Sequence, residues 1–172
     1  MFSNLDKNKI YKMSFTKGVT LNPLTWLGWC IRLIANIEFN HTGVLYFMEG
    51  KWKLQEAIGD GVISKAFYDS NAYKYYPEWT IEEASFSFMY EKAISRIHDI
   101  EGKKYDFKGL LFYQAYLNIF NKWLGKAVND GDKYYCYETV QYIFGLDVKK
   151  PKDINSKFIT IFPNRYIVKL DS

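Results

Sequence analysis

The feature that most constrains the fold of this chain is a pair of β-type segments joined by a two-residue turn. Residues 42–48 are rich in β-branched and aromatic side chains, Glu49-Gly50 is a turn signal, and Lys51–Ile58 alternates polar and apolar residues. If Glu49-Gly50 forms a two-residue loop, Gly43 pairs with Glu56. The pattern therefore predicts an antiparallel hairpin with a carboxylate on its apolar face.

That carboxylate needs a partner, because burying an unpaired carboxylate costs free energy. His41 lies on the same face as Glu56, displaced diagonally by one residue pair, and such neighbours are about 7–8 Å apart at the backbone. Gly43, opposite Glu56, leaves room for the imidazole to lean across. The hairpin thus predicts a hydrogen bond between His41 and Glu56, whereas a three-residue loop with a bulge would place Glu56 on the other face.

The rest of the chain predicts an α+β fold in which antiparallel strands are flanked by helices. With 172 residues and no linker or internal repeat, the chain is expected to be one domain over residues 1–172. Gly145 is expected to end the last helix in a left-handed conformation. Further strands are predicted at residues 10–17, 62–67, 85–90 and 166–170, and helices at 24–37, 91–101, 105–123 and 135–144.

Composition excludes some classes of protein and favours others. The net charge is +4 with lysines scattered along the chain, which argues against a nucleic-acid interface. No apolar run is long enough for a transmembrane segment, and no secretory signal is visible, so the chain as encoded is expected in the cytoplasm, with action outside the cell left open. Two widely spaced cysteines and two histidines predict neither a metal site nor another cofactor, and Cys30 is expected to be an inert buried thiol.

The second cysteine lies where its thiol can be activated. A helix that begins near Tyr135 places Cys136 at its N-terminus, where unpaired N–H groups and the helix dipole favour a thiolate and can stabilise an oxyanion. Cys136, His41 and Glu56 then form a nucleophile, a base and a group that orients the base. The alternative is that Cys136 is a core residue, because Val140 lies on its helical face.

Four segments in order, FNHTGVLY, KLQEAIGDGVI, GKKYDF and YYCYETV, resemble the permuted NlpC/P60 proteins, the YaeF/YiiX type of papain-like family. The resemblance runs from about residue 9 to residue 148. It implies a circularly permuted papain-like fold, with an antiparallel sheet packed against helices, and a Cys136-His41-Glu56 triad. Tyr137 departs from the family, which has a small hydroxyl residue there, and it either narrows the groove or faces solvent. Thr139 replaces a leucine.

The resemblance implies a cysteine-dependent amidase or peptidase that hydrolyses a peptide-type amide, including cell-wall peptides, through a thioester acyl-enzyme. Its partner would be a small peptide, an amino-acid-containing substrate or an acyl substrate. One alternative is a lipid acyltransferase or thioesterase of the lecithin:retinol acyltransferase-like type, although those proteins commonly have histidine where Glu56 stands. The other is a non-catalytic module that binds an amino acid or a peptide. The sequence does not indicate an oligomeric state.

Several further residues are candidates for the substrate site or the oxyanion site. Tyr105 either donates a hydrogen bond near the thiolate or oxyanion or is a structural tyrosine, and Tyr135 lies at the start of the Cys136 helix. Glu138 either binds a substrate amine or caps that helix. Asp106 is expected to be a helix N-cap, and residues 75–79 form an aromatic segment that either lines a groove or packs in the core.

Overall fold

The computed structural model describes residues 2–16, 39–110, 132–148 and 151–162 of the chain. Helices α1 to α4 span Asn71–Tyr75, Tyr90–Ile100, Cys136–Phe144 and Pro151–Asn155, and a short 3₁₀ turn spans Phe67–Asp69. Strands β1 to β8 span Tyr11–Thr16, His41–Met48, Lys51–Ile58, Gly61–Ala66, Glu78–Ala84, Lys104–Tyr105, Lys133–Tyr134 and Phe158–Phe162.

Six of these strands form one antiparallel sheet in the order β4-β3-β2-β1-β5-β8. The short strands β6 and β7 pair with each other in parallel. The described residues therefore form an α+β structure built on a large antiparallel sheet, as the sequence predicts.

The hairpin of β2 and β3 has the predicted register, with Gly43 opposite Glu56. Glu49 and Gly50 both have positive φ, at 54° and 77°, which is the geometry of a tight two-residue hairpin turn. A side chain at Gly43 would place its Cβ 2.8 Å from the carbonyl oxygen of Gln55, so only glycine fits at this position without a shift of the backbone. The turn and this close approach together fix which face Glu56 occupies.

The sheet is covered on both faces. Helices α2 and α3 pack on one face, where Val44 and Tyr46 join the same apolar cluster as Ile97 and Val140. The other face carries a cluster rich in aromatic residues, including Phe15, Phe67 and Trp79. Because adjacent residues of a strand point to opposite faces, β2 contributes side chains to both clusters. His41 is the first residue of β2.

A buried ion pair links β1 and β5. Lys12 is fully buried, and its Nζ lies 2.5 Å from Oε2 of Glu82 and 2.6 Å from Oγ of Ser14. Burial lowers the pKa of Lys12, while the Glu82 carboxylate acts to raise it. Thr80 donates a hydrogen bond to the other carboxylate oxygen of Glu82. The cost of burying both charges is therefore offset by a satisfied polar cluster.

Several predicted elements are confirmed. The strand predicted at 10–17 is β1, and the helix predicted at 91–101 is α2 within one residue at each end. Helix α3 ends at Phe144, and Gly145 follows in the left-handed region at φ 67° and ψ 37°. Its backbone N–H bonds to the carbonyl oxygens of the last turn, which is the role predicted for a glycine at that position.

The strand predicted at 85–90 is wrong. The strand is Glu78–Ala84, which pairs with β1 and β8, and Tyr90 already begins α2. Phe86 and Phe88, whose spacing suggested a strand, pack their rings against Phe144 from an irregular segment. The aromatic alternation is thus satisfied by packing alone, without a ladder of backbone hydrogen bonds.

The helix predicted at 105–123 begins later than expected, because Tyr105 belongs to strand β6. Asp106 is the predicted N-cap: its Oδ1 accepts a hydrogen bond from the N–H of Gly109 at 2.7 Å. The strand predicted at 62–67 ends at Ala66, and Phe67 starts the 3₁₀ turn. Residues 111–123, the helix at 24–37 with Cys30, and the strand at 166–170 lie outside the described residues.

Helix α4 and strand β8 were not anticipated from the sequence. In the part of the chain that the structure describes, no helix combines the length and the apolar character needed to cross a membrane.

Candidate active site

His41 and Glu56 form the predicted hydrogen bond. The distance between Nε2 of His41 and Oε2 of Glu56 is 3.2 Å, and both residues are buried. Because a carboxylate only accepts hydrogen bonds, Nε2 carries the hydrogen, and the other ring nitrogen, Nδ1, is left for a second partner. The hairpin register, which pairs Gly43 with Glu56, brings the two side chains together.

Helix α1 holds the Glu56 carboxylate in place from the other side. The backbone N–H of Asn71 donates to Oε1 at 2.8 Å, and the N–H of Ala72 donates to Oε2 at 3.0 Å. Ser70 is the N-cap residue of this helix, since its Oγ accepts a hydrogen bond from the N–H of Tyr73. The carboxylate that orients His41 is thus itself fixed by two backbone donors.

Cys136 is the first residue of α3 and lies against His41. Its side chain is buried, and its hydrogen bonding and charge act to raise the pKa of His41. Two strand residues and one helix residue, far apart in the sequence, are therefore brought together by the packing of α3 against β2 and β3.

The pKa of His41 is raised from its ordinary value of 6.5 to about 9. Burial acts to lower it, because a low-dielectric environment disfavours the charged imidazolium. The hydrogen bonds and negative charges of Cys136 and Glu56 outweigh that effect. The environment therefore favours a protonated His41.

Aromatic rings enclose the imidazole. Tyr76 stacks on His41 with ring centroids 5.6 Å apart and an interplanar angle of 5°, and Phe15 lies at 5.8 Å. Burial raises the pKa of Tyr76, as does the nearby Cys136. The sequence suggested only that residues 75–79 could line a groove. In the structure Tyr76 stacks on His41, whereas Trp79 is buried in β5.

Tyr105 and Tyr135 both lie near the thiol. Burial is the main cause that raises the pKa of each phenol, and the negative charge of Cys136 adds to it. Tyr135 is the residue immediately before α3, and Tyr105 is in β6, which pairs with β7 just ahead of it. Both are therefore neutral hydroxyl groups at neutral pH.

The structure gives Glu138 the capping position. Its Oε2 accepts a hydrogen bond from the backbone N–H of Tyr135 at 3.3 Å, and the side chain is buried. The expectation that Tyr137 faces solvent is wrong: its ring is buried, and its hydroxyl accepts a hydrogen bond from Nδ2 of Asn155 in α4. Tyr137 points away from solvent because α4, an element that the sequence did not reveal, packs over that side of α3.

A cavity of about 490 Å³ opens beside His41 and Glu56. It lies between the turn from β3 to β4, which contributes Asp60, and helix α1, which contributes Lys74 and is followed by Tyr76. A volume of this size is in the range of small-molecule sites. Sequence reasoning did not find Lys74, Asp60 or the cavity, because α1 has five residues and too little periodicity to be recognised.

No protein-family model matches the chain, and no curated protein matches it in sequence. In structure it is similar to the metalloprotein yiiX from Escherichia coli O157:H7, with a TM-score of 0.54 and 14% sequence identity over 92% of this chain and 98% of that chain. The fold is YiiX-like. At this identity the similarity concerns the fold alone, and the chemistry of the site rests on the residues described above.

Proposed function

We propose that this protein is a cysteine hydrolase that cleaves peptide-type amides, with Cys136 as nucleophile, His41 as general acid and base, and Glu56 as the residue that orients His41. The observation that carries the proposal is the environment of His41, which hydrogen-bonds to Glu56 and whose pKa is raised by hydrogen bonding to Cys136 and to Glu56. This is the arrangement of an activated nucleophile, its base and an orienting group.

In the proposed reaction the Cys136 thiolate attacks the carbonyl carbon of the amide and forms a tetrahedral intermediate. The imidazolium of His41 gives its proton to the amide nitrogen, the C–N bond breaks, and the amine leaves. The thioester that remains on Cys136 is then attacked by water, whose proton passes to His41. The carboxylic acid leaves, and the thiolate–imidazolium pair is restored.

The negative oxygen of each tetrahedral intermediate needs hydrogen-bond donors. Cys136 begins a nine-residue helix, and the backbone N–H groups of Cys136 and Tyr137, in its first turn, are candidate donors. The neutral hydroxyl groups of Tyr105 and Tyr135 are further candidate donors. Glu138 is engaged with the backbone of Tyr135 and would act on this site by holding the start of α3.

The similar protein yiiX is described as a metalloprotein, which raises the question of whether the side chains of this site could bind a metal ion. Among the described residues no group of three His, Cys, Asp or Glu side chains is placed to hold a metal ion. The oxygens of Glu56 already accept hydrogen bonds from His41 and from two backbone amides. The residues do not fit a metal, and the proposed mechanism contains no metal step.

The test is acylation of Cys136 in a Cys30→Ser background. An activated ester, p-nitrophenyl acetate, should give a burst of nitrophenolate and one acetyl group on Cys136 by intact mass. The burst should be absent in Cys136→Ala and strongly slowed in His41→Ala, with His98→Ala, an exposed histidine on α2, as the matched control. A burst that survives Cys136→Ala would refute the assignment.

Amide substrates are then compared with lipids. Incubation with a mixture of cell-wall peptides should release amines in a Cys136-dependent way, and phosphatidylcholine vesicles should leave the thiol unmodified. If only the vesicles acylate Cys136, the assignment of an amide substrate is overturned in favour of lipid acyl transfer. Tight binding of peptides by Cys136→Ala, with no turnover by the native protein, would overturn catalysis in favour of a binding module.

A further inference from the structure

Glu56 forms part of the cap at the start of helix α1. The backbone N–H of Asn71 donates to its Oε1 at 2.8 Å, and the N–H of Ala72 donates to its Oε2 at 3.0 Å. The first N–H groups of a helix have no partners within the helix, so other groups must satisfy them. At the start of α1, the carboxylate that bonds to His41 satisfies two of these N–H groups.

Ser70 accounts for the two neighbouring N–H groups. It is the N-cap residue of α1 and is fully buried. Its Oγ accepts a hydrogen bond from the N–H of Tyr73 at 3.2 Å, and its own N–H donates to the carbonyl oxygen of Phe67 at 3.1 Å. The cap of α1 is therefore shared between Ser70 and the Glu56 carboxylate.

The hydroxyl of Ser70 also joins α1 to the 3₁₀ turn before it. It donates a hydrogen bond to the carbonyl oxygen of Phe67 at 2.7 Å. The ring of Phe67 is buried in the aromatic cluster, where it packs edge-on against Phe2 and Trp79 with centroids 4.9 and 5.7 Å apart. A helix of five residues has little stability of its own, so its position depends on such contacts with the core.

The other end of α1 reaches His41. The N–H of Tyr76 donates to the carbonyl oxygen of Ala72 at 2.9 Å, and the Tyr76 ring stacks on the imidazole with an interplanar angle of 5°. Helix α1 therefore acts on the pair of His41 and Glu56 in two ways, through two amides at its start and through the ring that follows its end. A displacement of α1 would change both contacts.

We infer that Ser70 is a positioning residue of the active site: its hydroxyl fixes α1 so that the amides hold Glu56 against His41 and Tyr76 stacks on the imidazole. Its effect on acylation rests on the proposed function. Its effect on His41 does not depend on catalysis, so the two can be tested separately.

The test removes the hydroxyl of Ser70 by Ser70→Ala and keeps it in Ser70→Thr. Ser70→Gly also lacks the hydroxyl, and because glycine is tolerated at an N-cap it serves if the alanine variant does not fold. Ser64→Ala is the matched control, since it removes a serine hydroxyl that bonds to Tyr46. Ser64 pairs with Gln55, the neighbour of Glu56 in β3, and therefore faces the other side of the sheet.

The first readout is the titration midpoint of His41, measured by NMR. Glu56 helps to raise the pKa of His41, so a carboxylate that is held less firmly should lower the midpoint by about 0.3 pH unit, a twofold change in the protonation equilibrium. Ser70→Thr and Ser64→Ala should leave the midpoint unchanged. In a Glu56→Gln background Ser70→Ala should no longer shift it, because no carboxylate remains to be displaced.

The second readout is the rate of the burst with p-nitrophenyl acetate in the Cys30→Ser background. Ser70→Ala should lower this rate about fivefold, the factor that corresponds to the loss of a typical N-cap hydrogen bond, and Ser70→Thr should restore it. Ser64→Ala should leave the rate unchanged.

The inference and the proposed function fail in different ways. If Ser70→Ala and Ser70→Gly shift the His41 midpoint no more than Ser64→Ala does, the role of Ser70 is overturned. The same conclusion follows if the shift is equal with Glu56 and with glutamine at that position, because the hydroxyl would then not act through the carboxylate. If the native protein forms no acetyl-enzyme on Cys136, the proposed function is overturned, and the His41 midpoint still decides the role of Ser70.

Discussion

Replacement of Glu56 by glutamine tests the electrostatics of the site with little change in shape. The amide oxygen of glutamine can still accept the hydrogen bonds from the backbone of Asn71 and Ala72, so α1 keeps its contacts. The amide nitrogen then faces Nε2 of His41 and favours a neutral ring with an unprotonated Nε2. We expect Glu56→Gln to fold and to lower the pKa of His41.

The size of this effect follows from the pKa of His41. The change from 6.5 to about 9 corresponds to about 3 kcal/mol of preference for the protonated ring, at about 1.4 kcal/mol per tenfold change. Burial opposes this preference, so Cys136 and Glu56 together supply more than the net value, and Cys136 supplies the larger part. If Glu56 supplies roughly a third of this net preference, its neutralisation costs about 1 kcal/mol and lowers the titration midpoint by about 0.7 pH unit.

The assay is a histidine titration by NMR. The chain has two histidines, His41 and His98, so two imidazole Cε1–H signals are expected, and a His98→Gln variant assigns them. The His41 signal should titrate near pH 9 in the native protein and about 0.7 pH unit lower in Glu56→Gln. An unchanged His41 midpoint in a folded Glu56→Gln protein would refute the role of Glu56.

The raised pKa of His41 also makes the free energy of unfolding depend on pH. Because the pKa of His41 is raised in the fold, its contribution is fully present below about pH 6.5 and is lost as the pH rises through about 9. Urea unfolding should therefore show a loss of free energy of unfolding over this window, and the loss should be smaller in Glu56→Gln. Equal losses in the two proteins would contradict the titration argument.

Two further substitutions test the surroundings of the site. Tyr76→Ala removes the ring stacked on His41 and should lower the acylation rate roughly two- to tenfold, the equivalent of about 0.5–1.5 kcal/mol for an aromatic pair. Tyr76→Phe keeps a ring and should keep the rate. Equal rates in all three proteins would contradict a positioning role for Tyr76. Glu82→Gln leaves the Lys12 ammonium buried without its counter-charge and should lower the free energy of unfolding, measured in urea, by about 3–5 kcal/mol. The double variant Lys12→Met with Glu82→Leu should recover much of that loss. A Glu82→Gln protein as stable as the native protein would refute this account of the ion pair.

The contact between His41 and Glu56 could be predicted from the sequence because it is set within one hairpin. The turn at Glu49-Gly50 fixes the register, the alternation of residues fixes the face, and Gly43 permits the close approach. The start of the Cys136 helix and its end at Gly145 were predicted for the same reason, since both depend on capping preferences of neighbouring residues.

Prediction from the local pattern of residues was wrong where alternating aromatic residues pack without forming a strand. Phe86 and Phe88 alternate like strand residues, but they pack against Phe144 without pairing to a strand. One edge of the sheet is β8, which pairs with β5, and this pairing joins residues far apart in the chain. Such long-range pairing leaves little trace in a short window of sequence.

The sequence by itself determined the hairpin, the helix that carries Cys136, and the three residue types that the proposed chemistry needs. The tertiary structure decided the rest. Tyr76 stacks on His41 and two backbone amides of α1 donate to Glu56, and α1 and the turn between β3 and β4 line one cavity. These contacts join residues that no local periodicity relates, and burial of the sheet faces, a property of the whole fold, brings them together.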